Sequence, residues 1–187
     1  MWNAKGPMDI SEVLQRVRAG DRQAFAAIVG HYQGPLFGFL GRMGLTPARA
    51  EEIAQETFLR AWTRLADFDP GRGAFGAWFY TIARRLALNE LGRAPGRLEV
   101  PLAAEHEAAC GEPEPFQSLA LAERRQRLSA ALGALPAGDR SVLALACIKE
   151  LALAEVARID GTTVGAVKTR LHRARRKLAR LMENDDV

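Results

Sequence analysis

The chain has 187 residues, which is room for one ordinary domain or two small ones. Hydrophobic residues make up 48% and charged residues 26% of it, a composition typical of a globular protein rather than of a disordered one. The longest uncharged stretches are too short or too polar for a membrane-spanning helix, which needs about 20 apolar residues, and no signal peptide is visible. We therefore expect a cytoplasmic protein.

The net charge of +4 is unevenly distributed along the chain. Residues 9–93 carry +2 and residues 118–187 carry +5, whereas residues 94–117 carry −4. Two basic parts joined by an acidic segment predict contact with a polyanion at both ends of the protein.

The two cysteines, Cys110 and Cys147, are too far apart in sequence to form a CxxC pair. We expect them to be reduced thiols of a cytosolic chain. His106 and Cys110 have a spacing that could begin a zinc site, but no second pair of ligands completes it. The sequence therefore predicts no metal and no other cofactor.

Apolar residues recur at helical spacing along most of the chain. In its first part this pattern predicts helices over about 10–17, 25–32, 36–43, 47–66 and 74–91. Gly20 should end the first helix, Asp21 should cap the second, and Gly34-Pro35 should separate the second from the third. The turn-rich residues 67–73 should form a loop.

Residues 94–117 contain four prolines and no sustained period, which predicts a linker. Helices resume over about 118–135, 138–148, 151–159 and 163–182, and no alternating strand pattern interrupts them. We therefore predict an all-α protein with two small helical domains, residues 9–93 and 118–183, joined by a flexible acidic linker.

Residues 151–182 resemble a helix–turn–helix, with Gly161 in the turn and Thr162 or Thr163 capping the second helix. One apolar stripe of that helix should pack on the domain. Its members are Val164, Val167, Leu171, Ala174, Leu178 and Leu181. The opposite face is small in its first turns and basic later, which suits a recognition helix whose start meets base edges and whose later cations meet phosphates.

Seven Lys or Arg residues and no acid lie between Lys168 and Arg180, along about 20 Å of helix. This run indicates DNA binding, because so many like charges repel one another unless a polyanion is near. The alternative is a solvated basic helix on a purely structural bundle.

In residues 50–65, an apolar face should be core, and it consists of Ala50, Ile53, Ala54, Phe58, Ala61, Trp62 and Leu65. The other face places Leu59 among carboxylates. An apolar anchor with a charged rim is typical of a protein-docking surface. A solvated acidic face with a single exposed leucine is an equally good interpretation of these residues.

Four aromatic residues follow the loop within six positions: Phe75, Trp78, Phe79 and Tyr80. Four aromatics so close together should not all fit a small core, and we expect about half to face inward. Those left outside, next to Arg84 and Arg85, suit stacking on unpaired bases and binding of the nucleic-acid backbone.

These segments, in this order, resemble the extracytoplasmic-function group of sigma-70 factors over residues 10–181. The strongest motifs are QETFLRAW (55–62), FGAWFYTIARR (75–85), LPAGDRSVL (135–143) and VGAVKTRLHRARRKL (164–178). The resemblance implies a sigma-2-like domain and a sigma-4-like helix–turn–helix domain. It also implies a transcription-initiation factor that binds core RNA polymerase and promoter DNA and is held inactive by an anti-sigma factor.

The resemblance assigns roles to three groups of side chains. It assigns docking on core polymerase to Glu51, Glu52, Gln55, Glu56, Leu59 and Arg60. Opening and reading of the promoter −10 element falls to Asp69, Arg72, Phe75, Trp78, Arg84, Arg85 and Asn89. Reading of the −35 element falls to Thr163, Gly165, Ala166, Lys168, Thr169, Arg170, His172, Arg173 and Arg176. The acidic linker matches a segment that runs toward the RNA exit channel.

The chain departs from the family pattern at several positions. Arg85 stands where asparagine is common and Asn89 where aspartate is common, which affects the expected −10 preference. Ala48 and Arg49 replace commonly acidic residues, and Asp160 replaces a usual apolar residue before the turn glycine.

Three other functions compete with this interpretation. A helix–turn–helix repressor would bind a palindrome as a dimer, without polymerase. A sigma mimic would bind only an anti-sigma factor, and would not need the basic last helix. An enzyme would need a phosphate loop, a metal cluster or a nucleophile–base pair, and the sequence shows none of these, so we expect no catalytic activity.

Overall fold

Helices form nearly all of the part of the chain that the structure describes, as predicted. A computed structural model describes residues 10–93, 115–148 and 151–183, and within these ranges it contains eight α-helices and no strand. The N-terminal domain comprises α1 (Ile10–Arg18), α2 (Phe25–Arg42), α3 (Pro47–Thr63) and α4 (Phe75–Arg93). The C-terminal domain comprises α5 (Pro115–Gly133), α6 (Ala137–Ala146), α7 (Leu153–Asp160) and α8 (Val164–Glu183).

The predicted linker falls mostly outside the described residues. Residues 94–114, which include His106 and Cys110, are not among them, and residues 115–117 belong to α5. None of the helices in the described ranges is both long and apolar enough to cross a membrane.

Polar caps lie at the starts of the second and third segments of the N-terminal domain, and the sequence predicted the first of them, Asp21. Asp21 Oδ1 accepts a hydrogen bond from the Ala24 amide at 3.2 Å, at the start of a 3-10 turn (Arg22–Ala24) that leads into α2. Its other oxygen accepts from Arg16 at 2.7 Å, and this hydrogen bond lowers the pKa of Asp21. Thr46 Oγ1 accepts from the Arg49 amide at 3.4 Å, and Pro47 occupies the first turn of α3.

The predicted break at Gly34-Pro35 is wrong, because α2 continues through Pro35 to Arg42. A proline inside a helix removes one backbone hydrogen bond and costs about 3 kcal/mol. The buried residues on both sides of it, Ile28 and Tyr32 before and Leu36 and Phe39 after, lie on one continuous apolar face. Burial of that face offsets the lost hydrogen bond, since each fully buried large side chain contributes about 1.5–3 kcal/mol.

The helix predicted over 47–66 ends earlier than expected. It stops at Thr63 rather than at 66, and a 3-10 turn (Leu65–Asp67) follows, which turns Leu65 into the core. A second 3-10 turn (Pro70–Arg72) lies within the loop that leads to α4.

The two domains pack against each other and share one apolar core. Helix α4 lies against α7, and both α2 and α4 contact α6. The shared core joins Tyr32 and Phe79 of the N-terminal domain to Val142, Leu145 and Val156 of the C-terminal domain. Residues that the sequence placed on the free surface of either domain can therefore be buried where the domains meet.

Candidate functional site

The outward face of α3 carries the only strongly exposed leucine among the described residues. The Leu59 side chain is 56% exposed, and Glu51, Glu52 and Gln55 are exposed on the preceding turns. The inward face holds the helix in place through Ala50, Ile53, Ala54 and Ala61, which are buried as predicted, while Phe58 and Trp62 are half-buried. The predicted apolar anchor with a carboxylate rim is thus present on one rigid helix.

The carboxylates of this face form ion pairs or hydrogen bonds with other side chains of α3. Arg60 Nε lies 2.5 Å from Glu56 Oε1, and Gln55 donates to Glu51 at 3.4 Å. Arg49 bridges Glu52 at 2.5 Å and Glu90 of α4 at 2.8 Å. The hydrogen bond that Arg49 donates to Glu52, followed by the charges of Glu52 and Glu90, raises the pKa of Arg49. Arg49, a departure from the family pattern, therefore ties α3 to α4.

The loop before α4 is held in a defined shape. Asp69 Oδ1 accepts from the Gly71 amide at 2.9 Å, and Arg18 of α1 donates to the Phe68 carbonyl at 2.6 Å. Gly73 has φ of 146°, a backbone conformation that essentially only glycine adopts. Asp69 and Arg72 point outward on this loop and are exposed, as a DNA-contacting role requires.

The expectation for the aromatic cluster needs correction. Three of the four residues are fully buried, namely Phe75, Phe79 and Tyr80, and only Trp78 is half-exposed. The Phe75 ring meets Tyr32 at 5.6 Å and Phe68 at 5.3 Å between centroids. The assignment of Phe75 to DNA contact does not fit this placement. The core accommodates the extra rings because Tyr32, Phe58 and Phe68 from three other segments pack around them.

Trp78 and Arg85 line one small cavity between α3 and α4. It has a volume of about 150 Å³, and its other walls are Arg60, Arg64, Asp67, Thr81 and Ile82. Asn89 is exposed further along α4. The cavity combines an aromatic face with three guanidinium groups, a combination that suits an unpaired base and its phosphate.

Arg84 does not point to solvent. Its Nη2 lies 2.5 Å from Asp160 Oδ1 of α7, and its Nε donates to Ser141 Oγ of α6 at 2.9 Å. Its side chain is 17% exposed. In this arrangement the neighbouring domain occupies the donors of Arg84, and the assignment of Arg84 to DNA contact stays a prediction.

The helix–turn–helix is formed by α7 and α8. Gly161 adopts the left-handed conformation, with φ of 69°, between the two helices. Thr163 Oγ1 accepts from the Ala166 amide at 3.2 Å, so Thr163 rather than Thr162 caps α8. On the inner side of α8, Val167, Leu171 and Ala174 are buried. Val164, predicted for the same stripe, is 37% exposed because the packed part of the helix begins one turn later, at Val167.

Eight of the nine residues predicted for −35 contact lie on the exposed face of α8 or at its start. They are Thr163, Gly165, Ala166, Lys168, Thr169, His172, Arg173 and Arg176. The ninth, Arg170, is half-buried and pairs with Asp160, while its Nε lies 3.8 Å from Asp139.

Sequence reasoning missed the polar groups between the domains. The buried side chains of Asp160 and Ser141 lie where the domains meet, against Arg84. Arg140, the residue before Ser141, is also buried, and this burial lowers its pKa. Only Asp160 gave a signal, as an acid at a position that is usually apolar. Within the described ranges, no group of three or more His, Cys, Asp or Glu side chains could hold a metal ion.

Comparison with known proteins identifies relatives of both domains. Residues 28–95 match the model of sigma-70 region 2, and residues 125–178 match that of sigma-70 region 4. The RNA polymerase sigma factor CnrH of Cupriavidus metallidurans is 31% identical over 96% of this chain and 97% of its own length. The ECF RNA polymerase sigma factor BldN of Streptomyces coelicolor is 33% identical over 93% of this chain, which spans 66% of that protein.

Two solved structures have the same fold. CnrH in complex with the cytosolic domain of CnrY superposes with a TM-score of 0.69 at 28% identity, over 93% of this chain and 97% of that one. The sigma factor RpoE of Bartonella quintana, in complex with the anti-sigma factor NepR, gives 0.64 at 24% identity, over 85% and 96% of the two chains.

Proposed function

We propose that the two domains of this chain divide promoter recognition between them. The chain belongs to the extracytoplasmic-function family of RNA polymerase sigma factors. It binds core RNA polymerase and directs the enzyme to promoters. The observation that carries the proposal is the simultaneous exposure of an apolar docking anchor on α3 and a basic recognition face on α8. We assign residues 9–93 to docking and the −10 element, residues 118–183 to the −35 element, and residues 94–117 to the tether.

The α3 face docks on the polymerase with Leu59 at its centre. An exposed leucine surrounded by polar and charged groups has the form of a hot spot, in which the apolar group fills a pocket and the rim excludes water. Glu51, Glu52 and Gln55 form one part of this rim, and the Glu56–Arg60 pair forms the other. The helix is rigid, so docking costs little conformational entropy.

The α8 face reads duplex DNA in the major groove. Gly165 and Ala166 allow the start of the helix to approach base edges closely, and Thr169 and His172 offer polar contacts one turn and two turns later. Lys168, Arg173 and Arg176 supply phosphate contacts, which give affinity with little sequence information. Thr163 holds the first turn in shape through its cap.

The loop and the start of α4 act on the −10 element. Unstacking one base costs a few kcal/mol, and stacking on an aromatic ring returns about 1–3 kcal/mol per base. We assign that role to Trp78, Arg85, Asp69, Arg72 and Asn89. The exposure of the loop residues and the cavity lined by Trp78 and Arg85 support this assignment. Phe75 acts as support beneath this surface, and Arg84 is available only once the domains separate.

The protein acts in the cytoplasm, by binding rather than by catalysis, and an anti-sigma factor controls it. The solved structure of the Bartonella relative holds an anti-sigma factor, which supports this class of partner for the present chain. Polymerase holds both DNA-binding domains, each of which binds DNA weakly. Once one domain has bound the promoter, the other is therefore present at a high effective concentration near its own element.

Transcription in vitro tests the proposal. Core polymerase is supplied with a pooled genomic promoter library, with and without the protein. Protein-dependent transcripts that share a −35 and a −10 sequence are expected. If folded protein and active core yield none, the proposal fails, and a repressor or a sigma mimic becomes the better interpretation.

A further inference from the structure

A buried carboxylate joins the two domains. The Asp160 side chain, at the end of α7, is 1% exposed. It pairs with Arg84 of α4 through one oxygen and with Arg170 of α8 through the other. Asp160 therefore receives a guanidinium from each domain, and both arginines belong to the sets assigned to promoter DNA.

The Arg84 side chain is held from a second direction as well. Its Nε donates to Ser141 Oγ on α6, and Ser141 is fully buried. Removing one member of a buried charge pair is costly because the remaining charge is left without compensation. Since the site is shielded from water, salt weakens it less than a surface pair.

A second contact brings the C-terminal domain against the end of the loop that carries Asp69 and Arg72. A Cβ built on Gly73 of the loop would lie 2.2 Å from Nη1 of Arg158, on α7. A Cβ on Gly76 would lie 3.7 Å from a methyl carbon of Leu151, just before α7. The loop end and the first turn of α4 are thus directly under the C-terminal domain.

We propose that Asp160, Arg84 and Arg170 form an interdomain latch that keeps the free protein closed and its −10 surface partly covered. The docking face on α3 and most of the recognition face on α8 stay exposed in the closed form. Opening breaks the Arg84–Asp160 and Arg84–Ser141 bonds and frees Arg84, whereas Asp160 and Arg170 remain together in the C-terminal domain. The inhibitory consequence rests on the proposed sigma function, but the closure itself does not.

Small-angle X-ray scattering and hydrogen exchange on the full chain test the latch with the variant Asp160→Asn. We expect a larger radius of gyration and at least tenfold faster exchange of amides in 73–80 and 153–160 than in the wild type. The matched control is Asp139→Asn, which removes the other acid near Arg170 and leaves the Arg84–Asp160 pair in place, and it should behave like the wild type. Unchanged dimensions and exchange in Asp160→Asn would overturn the latch.

A second variant keeps the test decisive if Asp160→Asn unfolds α7 and α8. Arg84→Gln leaves the Asp160–Arg170 pair in place and should open the molecule in the same way, and a closed Arg84→Gln protein would overturn the latch.

In transcription with limiting protein, Asp160→Asn should give several-fold more transcript than the wild type. An open variant without that gain would overturn the inhibitory role. A wild type that supports no transcription would refute the sigma function instead, while the scattering result would still decide the latch.

Discussion

Gly73 and Arg158 meet where the two domains pack, with the Arg158 guanidinium occupying the space in which a side chain at position 73 would begin. The same glycine has φ of 146°, a conformation that L-residues rarely adopt. One residue therefore combines a backbone conformation that is open essentially only to glycine with a close approach of the neighbouring domain.

The first prediction concerns that glycine. Gly73→Ala should lower the free energy of unfolding by about 1–3 kcal/mol, because alanine must adopt a sparsely populated backbone conformation. Urea denaturation checks this value. The control is Gly92→Ala, at the exposed end of α4 with open space around it, which should leave stability unchanged or raise it by up to about 1 kcal/mol. Equal stability of the two variants would show that position 73 does not require glycine.

The second prediction concerns docking. Leu59→Asp should weaken binding to core polymerase roughly 30-fold or more, the loss expected when about 2 kcal/mol is removed from a hot spot. Circular dichroism should be unchanged, since the side chain is exposed. Ala27→Asp, an equally drastic change on the exposed side of α2, serves as the control and should bind normally. Normal binding by Leu59→Asp would remove α3 from the docking surface.

The third prediction concerns the recognition helix. The double variant Arg173→Ala with Arg176→Ala should lower promoter-dependent transcription and reduce the slope of log affinity against log salt by about 2, since each lost phosphate contact contributes about 0.9. Filter binding of the polymerase–promoter complex at several salt concentrations measures that slope. The double variant Arg16→Ala with Arg22→Ala removes two exposed cations elsewhere and should keep it. A retained slope in the α8 variant would contradict the assignment.

The fourth prediction separates packing from DNA contact in the aromatic cluster. Phe75→Ala should lower the free energy of unfolding by about 3–5 kcal/mol, because it leaves a cavity in the core. Trp78→Ala, at a half-exposed position, should cost less stability yet slow promoter opening, which a fluorescent base analogue in the −10 element reports. If Trp78→Ala opened promoters at the normal rate, this tryptophan would not be a stacking residue.

The sequence predicted features that depend on local patterns. The cap at Thr162 or Thr163, the glycine turn at 161 and the exposed face of α8 follow from side chains a few positions apart. Each of these predictions is confirmed, with Thr163 as the cap. The anchor Leu59 was likewise visible as an apolar residue outside the helical stripe. The docking and DNA roles of these residues remain predictions.

The features that the sequence did not predict depend on distant partners. The helix through Pro35 persists because its apolar face is buried on both sides of the proline. Phe75 is buried because rings from α2 and the preceding loop surround it. Arg84 and Asp160 are 76 positions apart, and no helical period relates them. Domain packing decides their environment, and a helical pattern contains no information about it.

Binding of a promoter fragment, recovered from the transcription library and labelled with a fluorophore, tests the sigma function. Its anisotropy is measured with the protein alone, with core polymerase alone and with both. We predict that both together bind the fragment at least about 100-fold more tightly than the protein alone, because polymerase joins two weak contacts. Equally tight, sequence-specific binding by the protein alone would contradict the account and favour a helix–turn–helix repressor.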